Sequence, residues 1–83
     1  MAVLHIVNSP AALQRCQSVC AEGDVIVLIE DGVYAALETL SGNVRVLDQD
    51  ASARGVESLV KYPLCDYETF VALTVQHHPV VSW

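Results

Sequence analysis

Short apolar runs separated by polar, turn-forming residues follow one another along this chain, and each run predicts one element. Residues 2–7 are β-branched and apolar apart from one histidine, which predicts a first strand. Residues 25–29 are five consecutive apolar residues, a run typical of a strand buried on both faces of a parallel sheet. Further strands are predicted at residues 44–47, at residues 59–64 (where a proline restricts the segment to an edge strand or a loop), and at residues 80–83.

The first connection between strands carries clear helix signals. Ser9 can cap a helix that has Pro10 in its first position and extends to about residue 21, before Gly23. Apolar residues recur in this segment at helical spacing, which predicts that one face of the helix packs on the sheet. That face consists of Ala12, Leu13, Cys16, Val19 and Cys20.

Three later segments also predict helical structure. Asp31 is a capping residue for a helix at residues 33–40, and residues 48–54 predict a short helical turn. Asp66 can cap a last helix, which the sequence His77-His78-Pro79 ends. The predicted inner face of this last helix consists of Tyr67, Phe70, Val71 and Thr74.

This succession of elements predicts an α/β fold in a single domain, residues 1–83. Parallel strands need crossover connections and cover on both faces, so we expect a small, mostly parallel sheet of four to five strands with helices on both faces. Three modest helices leave part of so apolar a sheet uncovered, because a domain of this length buries only about 60–65% of its surface. Large exposed apolar patches mark interfaces, and we therefore expect an oligomer.

Composition and charge exclude several classes of protein. Hydrophobic residues make up 53% of the chain and charged residues 17%, the opposite of the balance in disordered proteins. A formal net charge of −6 argues against direct binding of nucleic acid. The longest apolar run, residues 25–29, is far shorter than the roughly 20 residues that span a membrane. Because the first residues lack the basic segment of a secretory signal, we expect a cytoplasmic protein.

The candidate reactive groups are the thiols of three cysteines: Cys16, Cys20 and Cys65. An odd number in a reducing compartment predicts free thiols, with Cys65 at a loop edge. The chain has no C-x-x-C pair, and the adjacent histidines near its end are a weak metal signal, so we expect neither a metal nor a cofactor. No Ser-His-Asp order, phosphate-binding loop or dinucleotide motif appears, and His5 is interpreted as a hydrogen-bonded core residue.

Several short blocks, each weak when taken singly, together resemble the TusB/DsrH family over nearly the whole chain and in the same order. The most recognisable is EGD at residues 22–24, followed by an apolar strand and by EDGVYAA at residues 30–36. The others are LHIVNSP at residues 4–10, LDQD at 47–50 with ARG at 53–55, DYETFVALT at 66–74, and Trp83. The connection around residues 39–43 is shorter than is usual in the family, by roughly two to three helical turns.

The resemblance implies a subunit of a hetero-oligomeric sulfur-relay complex of the TusBCD or DsrEFH type, with the small parallel α/β fold that DsrE-like subunits share. In the TusBCD type, persulfide sulfur passes from the carrier TusA to TusE and ends on the wobble uridine of certain tRNAs. The DsrEFH type belongs to sulfur oxidisers. The implied partners are DsrE-like subunits and a small sulfur-carrier protein, without direct contact to nucleic acid or membrane. A free-standing cysteine-dependent sulfurtransferase and a homo-oligomeric interaction module without sulfur transfer are the alternatives.

The resemblance also implies a role for Cys16. DsrH proteins have a cysteine in the first helix, seven residues before the glycine of the E-G block, and Cys16 lies seven residues before Gly23. In much of the TusB branch that position is not cysteine, and the transfer thiol belongs to TusD. The alternative is that Cys16 and Cys20 simply pack in the core, since unpaired cysteine is among the most buried residue types. Cys16 is therefore the candidate sulfur-carrying residue, in a subunit that is either a carrier or a non-catalytic part of a sulfurtransferase complex.

Overall fold

The computed structural model describes residues 2–83, which form five strands and four helical segments. The strands are β1 (Leu4–Val7), β2 (Val25–Leu28), β3 (Asn43–Leu47), β4 (Leu64–Cys65) and β5 (Val80–Ser82). The helical segments are α1 (Pro10–Gln17), a 3₁₀ helix (Glu30–Leu37), α2 (Asp48–Ala53) and α3 (Tyr67–Gln76). Within these residues, no helix is both long enough and apolar enough to cross a membrane.

All five strands run parallel in one sheet of order β4-β3-β2-β1-β5, so the predicted α/β class is confirmed. The first three crossovers move across the sheet in one direction, and the last one returns from β4 to the opposite edge at β5. Because parallel crossovers are almost always right-handed, this order puts the first three helical segments on one face and α3 on the other. Helices therefore cover both faces, as predicted.

Two separate cores result from this arrangement. On one face, α1, the 3₁₀ helix and α2 pack against inward-facing strand residues such as Ile26, Leu28 and Val46, which are fully buried. On the other face, Leu4 and Val27 form the centre of a smaller core. Four partly buried residues pack against the smaller core: Phe70 and Leu73 of α3, Ile6 of β1, and Ile29 just after β2.

α3 covers its face of the sheet incompletely. A helix of 10 residues is about 15 Å long, whereas the axes of five strands at about 4.8 Å spacing span roughly 19 Å. No residue of α3 is fully buried, and Tyr67, Val71 and Val75 are 56%, 43% and 71% exposed. The predicted inner face is right for Phe70 and wrong for Tyr67 and Val71, because Leu73 packs against the sheet together with Phe70. We call Tyr67, Val71 and Val75 the α3 stripe.

Two helix predictions need correction. α1 ends at Gln17 rather than near residue 21, and Val19, predicted to face the core, is 60% exposed. The second helix is a 3₁₀ helix that begins at Glu30, with Ile29 before it and no side-chain cap, so Asp31 does not cap it. The caps predicted for the other two helices are confirmed, since the side chain of Ser9 accepts a hydrogen bond from the N–H of Ala12 and that of Asp66 accepts one from Thr69.

Candidate functional site

His5 is the centre of a buried polar network inside the larger core. Its Nε2 lies 2.9 Å from Oδ2 of Asp24, and its Nδ1 accepts a hydrogen bond of 3.1 Å from the indole Nε1 of Trp83. β1 supplies the histidine, the residue just before β2 supplies the carboxylate, and the residue after β5 supplies the indole. His5 and Asp24 are both buried, and every buried side-chain nitrogen and oxygen in the described part of the chain has a partner.

The indole of Trp83 determines the protonation state of His5. Because the indole N–H can only donate, Nδ1 of the imidazole is the acceptor, and the ring proton lies on Nε2, where it is donated to Asp24. His5 is thus a neutral imidazole with both nitrogens engaged. The prediction that it is a hydrogen-bonded core residue is confirmed.

Asp24 accepts three hydrogen bonds, which favour its charged form. Besides His5, the backbone N–H groups of Ala21 and Val3 donate to it, each over 3.0 Å. The bond from His5, followed by those from Ala21 and Val3, lowers the pKa of this carboxyl to about 2, although burial acts in the opposite direction. An ionised carboxylate therefore lies beside a neutral imidazole in the core.

Cys20 completes a group that could hold a metal ion. Its sulfur, a ring nitrogen of His5 and a carboxylate oxygen of Asp24 all lie within 4.8 Å of one another. Burial, together with the negative charge of Asp24, raises the pKa of the Cys20 thiol, so the resting residue is protonated. No metal was expected from the sequence, because the cysteine spacings gave no support and the adjacent histidines His77 and His78 were a weak signal. The missed signal was a pair of polar residues in the core, His5 in β1 and Asp24 just before β2.

Cys16 occupies the larger core under α1, where its side chain has 0% exposure. Burial is the main reason that the pKa of its thiol rises to about 11, and the nearby groups Cys20 and Asp24 raise it further. A protonated, inaccessible thiol is a poor nucleophile, which supports the packing alternative for Cys16 over the carrier alternative. Cys65 is also buried, in β4 against the smaller core, rather than at a loop edge as expected.

We expect a small thiol reagent to modify Cys20 faster than Cys16 or Cys65 by at least about tenfold, because Cys20 is partly exposed and the other two are buried. A time course of alkylation under native conditions, with the modified residues identified by peptide mass spectrometry, measures the three rates. In denaturant the rates should converge. If Cys16 reacted as fast as Cys20 in the native protein, α1 would open readily and the carrier alternative would be favoured.

Residues of the sequence blocks contact one another at the carboxyl ends of β2 and β3. Arg54 Nε donates to Asp31 Oδ1 over 3.0 Å, which joins the ARG block to the EDGVYAA block. The backbone of Glu30 has a positive φ of 48°, and its N–H donates to Oδ2 of Asp50 over 2.6 Å. Gly32 lies so close to β1 that a Cβ there would overlap the carbonyl oxygen of Val7. These contacts give the residues of the blocks a structural role.

A small, five-stranded parallel α/β domain with these blocks matches a known family. The family model described as DsrH like protein matches residues 8–80. The chain is 39% identical over 84 aligned residues to Protein TusB of Escherichia coli strain K12, with 88% of this chain and 85% of that protein covered. It is 36% identical over 74 residues to Protein TusB of Photorhabdus laumondii, covering 76% of this chain and 78% of the relative.

A solved structure agrees with this result. The solution NMR structure of protein Tm0979 from Thermotoga maritima superposes with a TM-score of 0.70 at 34% identity, over 95% of this chain and 97% of that one. The chain therefore belongs to the TusB/DsrH family, and the resemblance stated from the sequence is confirmed. Membership of this family implies a place in the sulfur relay of tRNA thiolation.

Proposed function

We propose that the chain is a subunit of a hetero-oligomeric complex that relays persulfide sulfur toward 2-thiolation of the tRNA wobble uridine. The observation that carries this proposal is the identity of 39% to Escherichia coli Protein TusB over most of both chains. The family match over residues 8–80 is shared with DsrH, so a complex of sulfur oxidation is the second candidate. In either complex, the proposed partners of the chain are DsrE-like subunits and a small sulfur-carrier protein. The proposed location is the cytoplasm.

The surface supports a role in an assembly. The α3 stripe leaves three apolar side chains in solvent on the face that α3 covers incompletely, and Leu64 on the edge strand β4 is exposed as well. Exposed apolar residues arranged along one helix are typical of protein–protein contacts. The net charge of −6 fits contacts with proteins better than contacts with tRNA. We propose that the α3 stripe contacts a DsrE-like subunit.

The chemistry of the cysteines supports a structural part in the relay. Attack on a donor persulfide requires a thiolate, and burial raises the pKa of Cys16 to about 11. We propose that a partner subunit carries the main transfer thiol and that this chain positions it. Sulfur transfer through Cys16 is the alternative, and it requires α1 to move away from the sheet.

Two measurements on cells of the organism that encodes the chain test this function. A tagged copy of the chain should co-purify with DsrE-like subunits, as identified by mass spectrometry. Deletion of its gene should remove 2-thiouridine from the wobble position of the affected tRNAs, and a plasmid copy should restore it. The Cys16→Ala variant is expected to restore it as well. Normal thiouridine together with impaired sulfur oxidation would favour the second candidate, and an isolated chain with normal thiouridine would refute the proposal.

A further inference from the structure

We propose that His5, Asp24 and Cys20 form a binding site for a divalent transition-metal ion of the zinc class. Each side chain offers one ligand atom, and the three atoms lie within 4.8 Å of one another. Imidazole nitrogen, carboxylate oxygen and thiolate sulfur are the ligand types that zinc binds in proteins. This inference is independent of the proposed function, because it needs only these three side chains and no partner subunit.

The spacing of the nitrogen and oxygen ligand atoms is close to that around a tetrahedral ion. Zinc bonds of about 2.0–2.3 Å at tetrahedral angles place two ligand atoms roughly 3.3–3.6 Å apart. Nε2 of His5 and Oδ2 of Asp24 are 2.9 Å apart and share one proton. An ion that takes the place of this proton therefore needs the two atoms to separate by only about half an ångström. The hydrogen bonds from the backbone of Val3 and Ala21 can remain and hold the carboxylate in place.

The charges of the three side chains balance a dication. Asp24 is ionised, and metal binding releases the thiol proton of Cys20 to solvent, so one carboxylate and one thiolate neutralise the two positive charges. The neutral imidazole of His5 adds no charge. A neutral complex is less costly to bury than the single carboxylate that the core now contains. Because Cys20 is partly exposed, it gives the ion access from solvent and leaves a fourth position for water.

Metal binding must also release Trp83. In the metal-free protein, Nδ1 of His5 accepts the hydrogen bond of the indole. When Nε2 binds the ion, the ring proton moves to Nδ1, which can then no longer accept. Two donors would then face each other over 3.1 Å, so the indole has to turn away. The backbone N–H of Trp83 can keep its bond of 2.8 Å to the carbonyl of Ile6, so β5 itself stays paired. Trp83 is the single tryptophan of the chain and reports on the site by its fluorescence.

The test adds zinc chloride or cobalt chloride alone to the untagged, fully reduced chain. We expect Trp83 fluorescence to change and to saturate at one ion per chain. Cobalt should give the intense near-ultraviolet absorption of thiolate-to-cobalt charge transfer, which shows directly that sulfur is a ligand. No fluorescence change and no charge-transfer band at equimolar metal would overturn the proposal.

Three variants separate this site from other metal ligands. Cys20→Ala should abolish the charge-transfer band and weaken zinc binding by at least about tenfold, without unfolding the chain, because Cys20 lies outside the helices and is partly exposed. The matched control Cys65→Ala removes a different thiol and should keep both signals. His78→Ala, which alters the adjacent histidines near the chain end, should also keep them. Full binding by Cys20→Ala, or its loss in His78→Ala, would overturn the assignment.

Discussion

Replacement of Asp24 by alanine is expected to lower the melting temperature by on the order of 10 °C. The substitution removes the acceptor of three hydrogen bonds, from His5 Nε2, from the backbone of Val3 and from the backbone of Ala21. Donors left without a partner inside a protein cost more free energy than the net gain of the bonds themselves. Two of these donors lie at the start of β1, the third lies in the connection that follows α1, and Asp24 itself precedes β2. Loss of the carboxylate therefore removes the hydrogen bonds that join these three segments. Thermal unfolding followed by circular dichroism measures the change.

The matched control is Glu22→Ala, which removes one negative charge from an exposed residue two positions away and should leave the melting temperature nearly unchanged. The pH dependence gives a second check. Because the pKa of Asp24 is lowered to about 2, the ionised carboxylate stabilises the fold above the ordinary pKa of aspartate, and this contribution is lost as pH falls from about 4 to 2. Asp24→Ala should lack this part of the acid profile. Equal melting temperatures for the two variants would contradict the role assigned to the network.

The strands were the most predictable part of the fold, except that the edge strand expected at residues 59–64 is the shorter β4 at Leu64–Cys65. A run such as Val25–Leu28, apolar on both faces, is typical of a central strand of a parallel sheet. In the structure it pairs with β1 on one side and with β3 on the other. The helical segments were less predictable. Glu30 begins its helix from a positive φ, and Gly32 must approach the backbone of Val7, so a tertiary contact determines where the 3₁₀ helix starts. Local capping preference at Asp31 could not predict that.

The orientation of α3 shows a similar limit. Four candidates for the inner face lie within about one helical turn: Phe70, Val71, Leu73 and Thr74. The sequence therefore allows the apolar face to be centred on either side of Phe70. In the structure the side with Leu73 faces the sheet, and Phe70 and Leu73 both pack against the smaller core. The remaining apolar residues of α3 are then left in solvent. A helix whose apolar residues extend around more than one face indicates a second contact surface.

The polar network could not be assembled from sequence spacing. His5 and Asp24 are 19 residues apart, and His5 and Trp83 are 78 residues apart, so only the parallel register of β1 with β2 and β5 brings them together. That His5 is hydrogen-bonded was predictable, since a buried polar group needs a partner. Neither its partners nor the position of Cys20 beside it was predictable. Cys16, four residues before Cys20, lies on the buried face of α1 and packs in the larger core instead.

A charge at the centre of the α3 stripe should abolish association with the DsrE-like partner. We expect Val71→Asp to weaken that association by at least about 30-fold, because a buried central contact is replaced by a carboxylate that must lose its water. Val71 is already 43% exposed, so the isolated variant should keep the melting temperature of the parent chain to within about 3 °C. Affinity is measured by titrating the purified partner against immobilised chain, and stability by thermal unfolding.

Leu59→Asp is the matched control, since Leu59 is an exposed leucine, 61% accessible, that lies between α2 and β4 and outside the α3 stripe. It introduces the same charge into another apolar surface position and should bind the partner like the parent chain. If both variants bound normally, the α3 stripe would not be the contact surface, although the chain could still belong to a relay complex. If both lost binding, the net negative charge would be the cause, and binding would then recover with added salt. Loss of binding in Val71→Asp alone, with thiouridine also lost in cells, would link this surface to the function.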